Sequence, residues 1–205
     1  MTNIYIARHG QNVDNQNGIL NGHRDQPLTD LGRKQAEELG KRIKEKNLLF
    51  DVVYSSPLSR AFETAEILCK AFHQTDPIIL ETLIERNFGS MTGIETSCIE
   101  ELCAPDIIKT ETITYFLNPP GSESFPDLLI RAKKILEFVI TKHQNQSILL
   151  VTHGDIGKMI YSEFYNLPWR EVLINFHFGN SEILYLNLDS HENERRLFIT
   201  PQYNH

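Results

Sequence analysis

Two short apolar runs, one followed by Arg-His-Gly and the other directly by His-Gly, constrain the fold of this chain more than any other feature. Residues 3–7 lead into Arg8-His9-Gly10, and residues 147–152 lead into His153-Gly154. Both runs have the length and composition of strands that are buried on both faces. Because ligands of α/β sheets bind beyond the carboxyl ends of the strands, we expect both histidines in one crevice.

Helical patterns alternate with further strand-like runs. Strands are predicted at residues 51–54, 77–80 and 182–188, and another helix after His153. A helix at residues 29–46 begins at Thr29 or Asp30 as N-cap. Its predicted buried face is Leu31, Leu39 and Ile43, and that of the next helix is Leu58, Ala61, Phe62, Ala65 and Leu68. A longer helix at residues 125–143 has a wide apolar stripe of Leu128, Leu129, Ala132, Ile135, Leu136, Val139 and Ile140.

This alternation predicts an α/β fold with three layers, α/β/α, around a mostly parallel central sheet. The 205 residues suit a single domain, and residues 90–118 fit no clear pattern and are predicted to be an insertion. The tail after Ser190 is polar, and we expect it to be loosely ordered. Oligomeric state is not readable from the sequence.

Composition narrows the classes of partner. The net charge of −7 argues against nucleic acid, which requires a basic surface. Three cysteines without a Cys-x-x-Cys pair make a disulfide framework or thiolate zinc site unexpected. The first residues lack a signal-peptide pattern, and no apolar run approaches the length of a membrane span. We therefore expect a cytoplasmic protein that acts on a small molecule, with no membrane partner.

The tripeptide Arg8-His9-Gly10 places a cation beside a candidate nucleophile, and its glycine is expected to let a ligand approach the backbone. The tripeptide alone is weak support, since a single histidine is more often structural than catalytic. Four further runs strengthen it: residues 22–29, 55–65 and 83–89, and Val151-Thr152-His153-Gly154.

With Pro120-Gly121-Ser122-Glu123-Ser124, these motifs occur in the order found in one family. The chain resembles the histidine phosphatase superfamily, which includes the cofactor-dependent phosphoglycerate mutases. The resemblance runs from Asn3 to about Leu188. It implies a phosphoglycerate mutase-like fold and a metal-independent reaction, with neither a metal nor another cofactor bound.

The resemblance also implies a role for each matching residue. His9 would accept the phosphoryl group, with a backbone carbonyl fixing its tautomer. Arg8 and Arg60 would hold the phosphoryl oxygens, because a guanidinium fork matches a phosphate. His153 would stabilise the transferring group, and Glu85 would protonate the leaving oxygen and later deprotonate water. Asn15, Asn21, Gly22 and Gly154 would complete the substrate site.

Other assignments remain open in the sequence. Arg60 could form a surface ion pair, Glu85 could be a solvated carboxylate, and Glu63 or Glu81 could be the acid instead. Arg86 is expected to be a structural partner. A metal held by His9, His23 and His153 is disfavoured because two arginines would repel a cation. His23, His73, His143, His177 and His191 are otherwise taken as ordinary.

Two departures from the family bear on function. Asn12 stands where the family usually has threonine or serine, which affects the expected rim of the phosphate loop. Within residues 90–118, Lys109 is the single basic residue, against the acids Glu95, Glu100, Glu101, Asp106 and Glu111. In the mutases that this chain resembles, this region is a lid with extra arginines that bind a second phosphate and a carboxylate. That basic set is missing here, and we expect an acidic lid to repel a doubly phosphorylated intermediate.

The sequence therefore favours a phosphatase of small phosphate monoesters that are not multiply anionic. The alternatives are a cofactor-dependent phosphoglycerate mutase and a phosphate-binding regulator without turnover.

Overall fold

A six-stranded sheet lies between two layers of helices in the computed structural model, which describes residues 2–188 and 196–198. The strand order is β3-β2-β6-β1-β7-β8, where the strands are β1 (Asn3–Arg8), β2 (Val52–Ser55), β3 (Ile78–Ile79), β6 (Ser147–Thr152), β7 (Ile183–Leu186) and β8 (Arg196–Phe198). The strands β3, β2, β6 and β1 are parallel, and β7 and β8 are antiparallel to their neighbours. The predicted mostly parallel sheet is confirmed.

The position of β1 inside the sheet explains why its sequence is continuously apolar. Ile4 and Ile6 pack into a core cluster on one face of the sheet, and Tyr5 and Ala7 pack into a second cluster on the other. Successive side chains of a strand alternate between faces, so a strand covered on both sides cannot alternate with polar residues.

Two helices cover one face of the sheet and three cover the other. The first layer is α2 (Asp30–Glu45) and α3 (Ser59–Phe72), and the second is α5 (Phe125–Lys142), α6 (Gly154–Phe164) and α7 (Trp169–Asn175). The N-cap of α2 is Thr29, whose hydroxyl accepts the Gly32 N–H. The short helix α1 (Val13–Asn17) follows β1 and was not predicted.

Some predicted core positions are wrong. Leu31 is 45% exposed, because it lies roughly 110° around the helix from the centre of the buried face formed by Ala36, Leu39 and Ile43. Ile140 is 48% exposed at the edge of the α5 stripe, whereas Phe62 and Leu129 are half-buried. Of the strand predicted at residues 77–80, only two residues form a strand, and both are exposed at the edge of the sheet.

Residues 90–118 form α4 (Ile99–Cys103) and a hairpin of β4 (Ile107–Lys109) and β5 (Thr114–Phe116). Phe88, Met91, Ile99 and Phe116 form a small apolar core under this region. Its backbone also bonds to the loop after α1, through Leu20 N to Ile94 O and Thr96 N to Gly18 O. This segment is therefore fixed against the loop that follows α1.

The prediction for the tail after Ser190 lies outside the described residues, except for β8, which pairs with β7. No helix in the described part of the chain has the length and apolar character needed to cross a membrane.

Candidate active site

The carboxyl ends of β1, β6 and β2 meet at one edge of the sheet. Arg8 pairs with Thr152 in the parallel register of β1 and β6, and the His9 N–H donates to Thr152 O at 3.0 Å. The ring centroids of His9 and His153 are consequently 5.0 Å apart. The expectation that both histidines lie together is correct.

His9 is buried, and its two ring nitrogens have different partners. Nδ1 lies 2.7 Å from the carbonyl oxygen of Gly10, so it carries the proton and donates. Nε2 lies 3.2 Å from Nε of Arg60 and accepts from it, which places the lone pair on Nε2. Burial, then the charges of Arg60 and Arg8, lower the pKa of His9 well below its ordinary value. His9 is therefore a neutral imidazole with a defined tautomer.

Glycine at position 10 serves the packing of α2, which corrects the expectation that it admits a ligand. A Cβ on Gly10 would overlap the carbonyl oxygen of Gly32, and a Cβ on Gly32 would overlap the carbonyl oxygen of Gln11. Thr29 also donates its N–H to Gln11 O at 3.0 Å. The first turn of α2 is thus held directly against the loop that carries His9.

Arg60 is buried near the start of α3, which excludes a surface ion pair. It donates through Nη1 to Arg24 O at 2.7 Å and through Nη2 to Gly22 O at 3.0 Å, and these bonds aim its Nε at His9. Burial lowers the pKa of Arg60 to about 10, so it stays protonated at neutral pH.

Arg8 is anchored through Nη1 to Phe178 O at 2.6 Å, while its buried Nε has no hydrogen-bond partner in the described part of the protein. Burial lowers its pKa, against the opposing charge of Glu85. A buried N–H without a partner is costly, so an anion that accepted from Arg8 Nε would recover that free energy.

Glu85 lies at the N-terminus of α6, where backbone groups hold its carboxylate. Oε1 accepts from Arg86 N at 2.9 Å and Ile156 N at 3.2 Å, and Oε2 accepts from Asp155 N at 3.3 Å. Burial, and then the charge of Asp155, raise the pKa of Glu85, although the N–H bonds from Arg86 and Ile156 oppose the rise. A raised pKa suits a carboxyl group that donates a proton.

His153 is completely buried, and Ser56 at the end of β2 is its partner. His153 Nε2 lies 2.7 Å from Ser56 Oγ, while Nδ1 has no partner in the described residues. Burial and the charge of Arg60 lower the pKa of His153 well below its ordinary value. The sequence did not identify Ser56 as a contact of His153.

The predicted rim residues divide into two groups. Asn15, Asn21 and Gly154 line the pocket, whereas Gly22 does not and instead gives its carbonyl to Arg60. Asn12 is not on the rim: it is the N-cap of α1, its side chain bonds to Asn21, and Asn15 completes a capping box. Asn12 is therefore buried under the pocket rim, where its hydrogen bonds hold Asn15 and Asn21 in place.

The other candidate acids, and the third histidine of the candidate metal set, have other positions or partners. Glu63 pairs with Arg33 at 2.6 Å, Glu81 is exposed, and neither lines the pocket. His23 Nε2 instead bonds to the Glu85 carbonyl oxygen at 2.8 Å. In the part of the chain that the structure describes, no three His, Cys, Asp or Glu side chains are grouped so as to hold a metal ion.

The pocket has a volume of about 550 Å³, and residues 90–118 contribute a neutral wall. That wall is formed by Thr96, Ser97, Ile99 and residues 112–116. The five acids of this segment are exposed and do not line the pocket. The expectation that they repel an anionic substrate therefore lacks a structural basis.

Arg86 lines the pocket and also contacts a carboxylate and three aromatic rings around it, as expected for a structural partner. It is buried and pairs with Asp155 Oδ2 at 2.8 Å. Its guanidinium lies over three rings, 4.9 Å from the centroid of Phe88 and 4.4 Å from those of Phe116 and Phe125. Cation–π contacts of this kind are strongest when they are desolvated.

Comparisons with known proteins identify the family of this chain. A family model described as the histidine phosphatase superfamily (branch 1) matches residues 4–199. A 2,3-bisphosphoglycerate-dependent phosphoglycerate mutase of Parvibaculum lavamentivorans is 32% identical over 177 residues, covering 83% of each chain. Phosphoglycerate mutase-like protein 4 of Arabidopsis thaliana is 33% identical, covering 77% of this chain and 69% of its own.

A solved structure is also similar. Phosphoserine phosphatase of Entamoeba histolytica, in complex with 3-phosphoglyceric acid, superposes with a TM-score of 0.73 at 25% identity, covering 90% of both chains.

Proposed function

The chain belongs to the histidine phosphatase superfamily (branch 1), and from this premise we propose that it is a metal-independent phosphatase of small phosphate monoesters. The reaction proceeds through a phosphohistidine on His9. The observation that carries the proposal is the neutral Nε2 lone pair of His9, held 3.2 Å from the Arg60 guanidinium inside a pocket that Arg8 and Glu85 also line.

In the first half-reaction, His9 Nε2 attacks phosphorus and the bond to the leaving oxygen breaks. Arg60 Nε–H exchanges its bond with His9 for one with a phosphoryl oxygen, and the unpaired Nε–H of Arg8 donates to another phosphoryl oxygen. Protonated Glu85 gives its proton to the leaving oxygen. Phosphoryl transfer depends mainly on positioning and on neutralising charge at these oxygens.

In the second half-reaction, water attacks phosphorus and gives a proton to Glu85, while the bond between phosphorus and His9 Nε2 breaks and its electron pair returns to Nε2. Inorganic phosphate then leaves, and both His9 and Glu85 return to their starting protonation states. The raised pKa of Glu85 supports this exchange of a proton in both directions.

Hydrolysis is favoured over mutase activity because residues 90–118, all of which the structure describes, contribute no basic side chain to the pocket. A mutase must retain a doubly phosphorylated intermediate, whose second phosphate needs its own cations. Mutase activity is the second candidate, since the Parvibaculum lavamentivorans relative is named a mutase.

Para-nitrophenyl phosphate tests the proposal. We expect the wild type to release phosphate and His9→Ala to lose more than about 99% of activity, since acid–base help alone is worth about a hundredfold. His73→Asn is the matched control: His73 is exposed at a φ of 58°, which asparagine tolerates. Turnover by His9→Ala would contradict the covalent route.

A second assay separates the alternatives. Isomerisation of 3-phosphoglycerate in the presence of 2,3-bisphosphoglycerate, faster than phosphate release, would establish a mutase. Phosphate binding without turnover of any ester would establish a regulator.

A further inference from the structure

The carboxyl group of Glu85 is held by two backbone segments that an ion pair joins. Arg86 N donates to Oε1 at 2.9 Å, and Asp155 N donates to Oε2 at 3.3 Å. The side chains of the same two residues pair with each other, since Arg86 Nε lies 2.8 Å from Asp155 Oδ2. Glu85, Arg86 and Asp155 therefore form a closed ring of hydrogen bonds between the Glu85 loop and the first turn of α6.

The two oxygens of Glu85 differ in their partners. Oε1 accepts two bonds, the second from Ile156 N at 3.2 Å, whereas Oε2 accepts one bond in the described residues, from Asp155 N. A Cβ placed on Gly154 would lie 3.5 Å from Arg8 Cζ and 3.7 Å from Glu85 Oε2, so this oxygen lies near the Arg8 guanidinium. N–H bonds stabilise a charged oxygen, and the proton of the neutral acid therefore belongs on Oε2.

The stability of the fold does not account for the pair of Arg86 and Asp155. Their side chains are 1% and 12% exposed. A buried ion pair adds little net stability, because the cost of removing both charges from water offsets their attraction. Asp155 does affect Glu85, since burial and then the charge of Asp155 raise the pKa of the Glu85 carboxyl group.

We propose that Arg86 and Asp155 are positioning residues for the proton transfer: their ion pair holds Asp155 N against Glu85 Oε2 and fixes the direction in which Glu85 donates to the leaving oxygen. The proton passes from Oε2 to that oxygen as its bond to phosphorus breaks, and the three N–H groups then stabilise the carboxylate. This inference rests on the proposed function, because it concerns the acid of the same reaction.

Other charged and titratable groups surround Glu85, and their effects have to be separated from that of Asp155. The Glu85 carbonyl oxygen lies 3.3 Å from Arg131 Nη2 and 2.8 Å from His23 Nε2. Further groups that can be charged lie in or beside the pocket: Arg8, Arg60, His9, His153 and Lys158. All of these groups are the same in the wild type and in variants of Asp155, and comparing two esters removes their common effect.

The test compares glycerol 2-phosphate, whose alkoxide needs a proton to leave, with para-nitrophenyl phosphate, whose phenolate does not. We measure kcat/KM by phosphate release, because this ratio contains the steps up to phosphorylation of His9. Asp155→Ala should lower kcat/KM about tenfold for glycerol 2-phosphate, part of the hundredfold that a positioned acid contributes, and less than about threefold for the aryl ester. Asp155→Asn should keep the wild-type rate wherever Glu85 is protonated, since its amide oxygen still accepts from Arg86 Nε.

The pH dependence separates the charge of Asp155 from its geometry. Asp155→Asn removes a negative charge and leaves Arg86 unbalanced, so the pKa of Glu85 should fall. Glu85 then loses its proton at lower pH, and the alkaline limb of kcat/KM for glycerol 2-phosphate should move down by about one pH unit. Arg86→Gln leaves the charge of Asp155 unbalanced and should move this limb up. The limb for para-nitrophenyl phosphate should stay in place in both variants.

Glu63→Gln is the matched control, since it also removes one carboxylate from an ion pair but lies outside the pocket. It should change neither the preference between esters nor the pH profile. Equal losses for both esters in Asp155→Ala, or an unmoved limb in Asp155→Asn, would overturn the inference and assign the pair to the stability of α6. If Arg86→Gln does not fold, the result for Asp155→Asn decides alone.

Loss of the positioning role and loss of the proposed function give different results. Turnover of para-nitrophenyl phosphate that requires His9, with an unchanged preference between esters in Asp155→Ala, refutes the positioning role and leaves the phosphatase standing. If no ester is hydrolysed, carbon-13 NMR of labelled glutamate reads the Glu85 carboxyl group directly, with Glu85→Gln to assign its signal. A lower titration midpoint in Asp155→Asn than in the wild type supports the inference, and an identical midpoint refutes it.

Discussion

Ser56 should fix the proton of His153, although it contacts neither His9 nor the pocket. Ser56 Oγ already accepts the Leu58 N–H at 3.3 Å, and its remaining partner is His153 Nε2 at 2.7 Å. The arrangement that uses every hydrogen has Ser56 donating to Nε2. His153 then carries its proton on Nδ1, the buried nitrogen that has no partner in the described residues. We expect this N–H to donate to a phosphoryl oxygen when substrate binds beside His9.

Ser56→Ala removes this bond and leaves Nε2 buried, since both residues are completely inaccessible to solvent. An unsatisfied buried group costs about 1–3 kcal/mol of the free energy of unfolding. Loss of the Ser56 hydrogen bond also removes about 1 kcal/mol of the free-energy difference that favours the Nδ1–H tautomer of His153 over the Nε2–H tautomer. We therefore expect kcat/KM for para-nitrophenyl phosphate to fall by about fivefold or more.

Ser55→Ala is the matched control, because Ser55 is equally buried and its hydroxyl bonds to the Ser56 carbonyl rather than to His153. Both variants should lose stability in urea denaturation, but only Ser56→Ala should lose activity. Nitrogen-15 NMR of labelled histidine reads the tautomer directly. A proton on Nε2 in the wild type, or full activity in Ser56→Ala, would refute the reasoning.

Three further predictions follow from the site. Glu85→Gln should slow single-turnover phosphorylation of His9 by an alkyl phosphate about a hundredfold, and by para-nitrophenyl phosphate much less, since a poor leaving group needs the proton; equal losses would mean that Glu85 only orders the pocket. The pKa values of His9 and His153 in the folded protein lie well below the ordinary 6.5. Below about pH 6.5 the unfolded chain therefore binds more protons than the folded chain does. The free energy of unfolding should consequently fall as the pH decreases below about 6.5. Urea denaturation between pH 7.5 and 5.5 measures this, and His9→Asn should flatten the dependence; a profile equally steep in the variant would contradict it. Turnover should survive a chelator, and activity that is lost and then restored by a divalent ion would disprove metal independence.

The strands and the pair of histidines were predictable because burial on both faces of a parallel sheet leaves continuous apolar runs in the sequence. The same register then placed Arg8, His9 and His153 together, since Arg8 and Thr152 are paired across β1 and β6. Helix faces were predictable where several apolar residues repeat, and failed for Leu31, where one residue near a helix end was added to the face.

Contacts between distant segments could not be read from local patterns. The role of Gly10 depends on the carbonyl of Gly32, which approaches only after α2 has packed. A lysine in a helix is normally exposed to solvent, so the sequence did not indicate that Lys158 is buried. Tyr115 lies in a segment whose sequence has no periodicity. Only the folded chain brings these two side chains together, with Lys158 Nζ 2.7 Å from the Tyr115 hydroxyl oxygen.

The three-ring enclosure of Arg86 has a consequence for the kinetics of substrate entry. Phe88 and Phe116 belong to the wall formed with residues 90–118, and Phe125 begins α5, so one desolvated cation ties that wall to the main core. Moving the wall outward would expose the guanidinium and separate these rings. We therefore expect ligand association in a single exponential phase, with an observed rate that rises linearly with ligand concentration and shows no plateau from a preceding opening step.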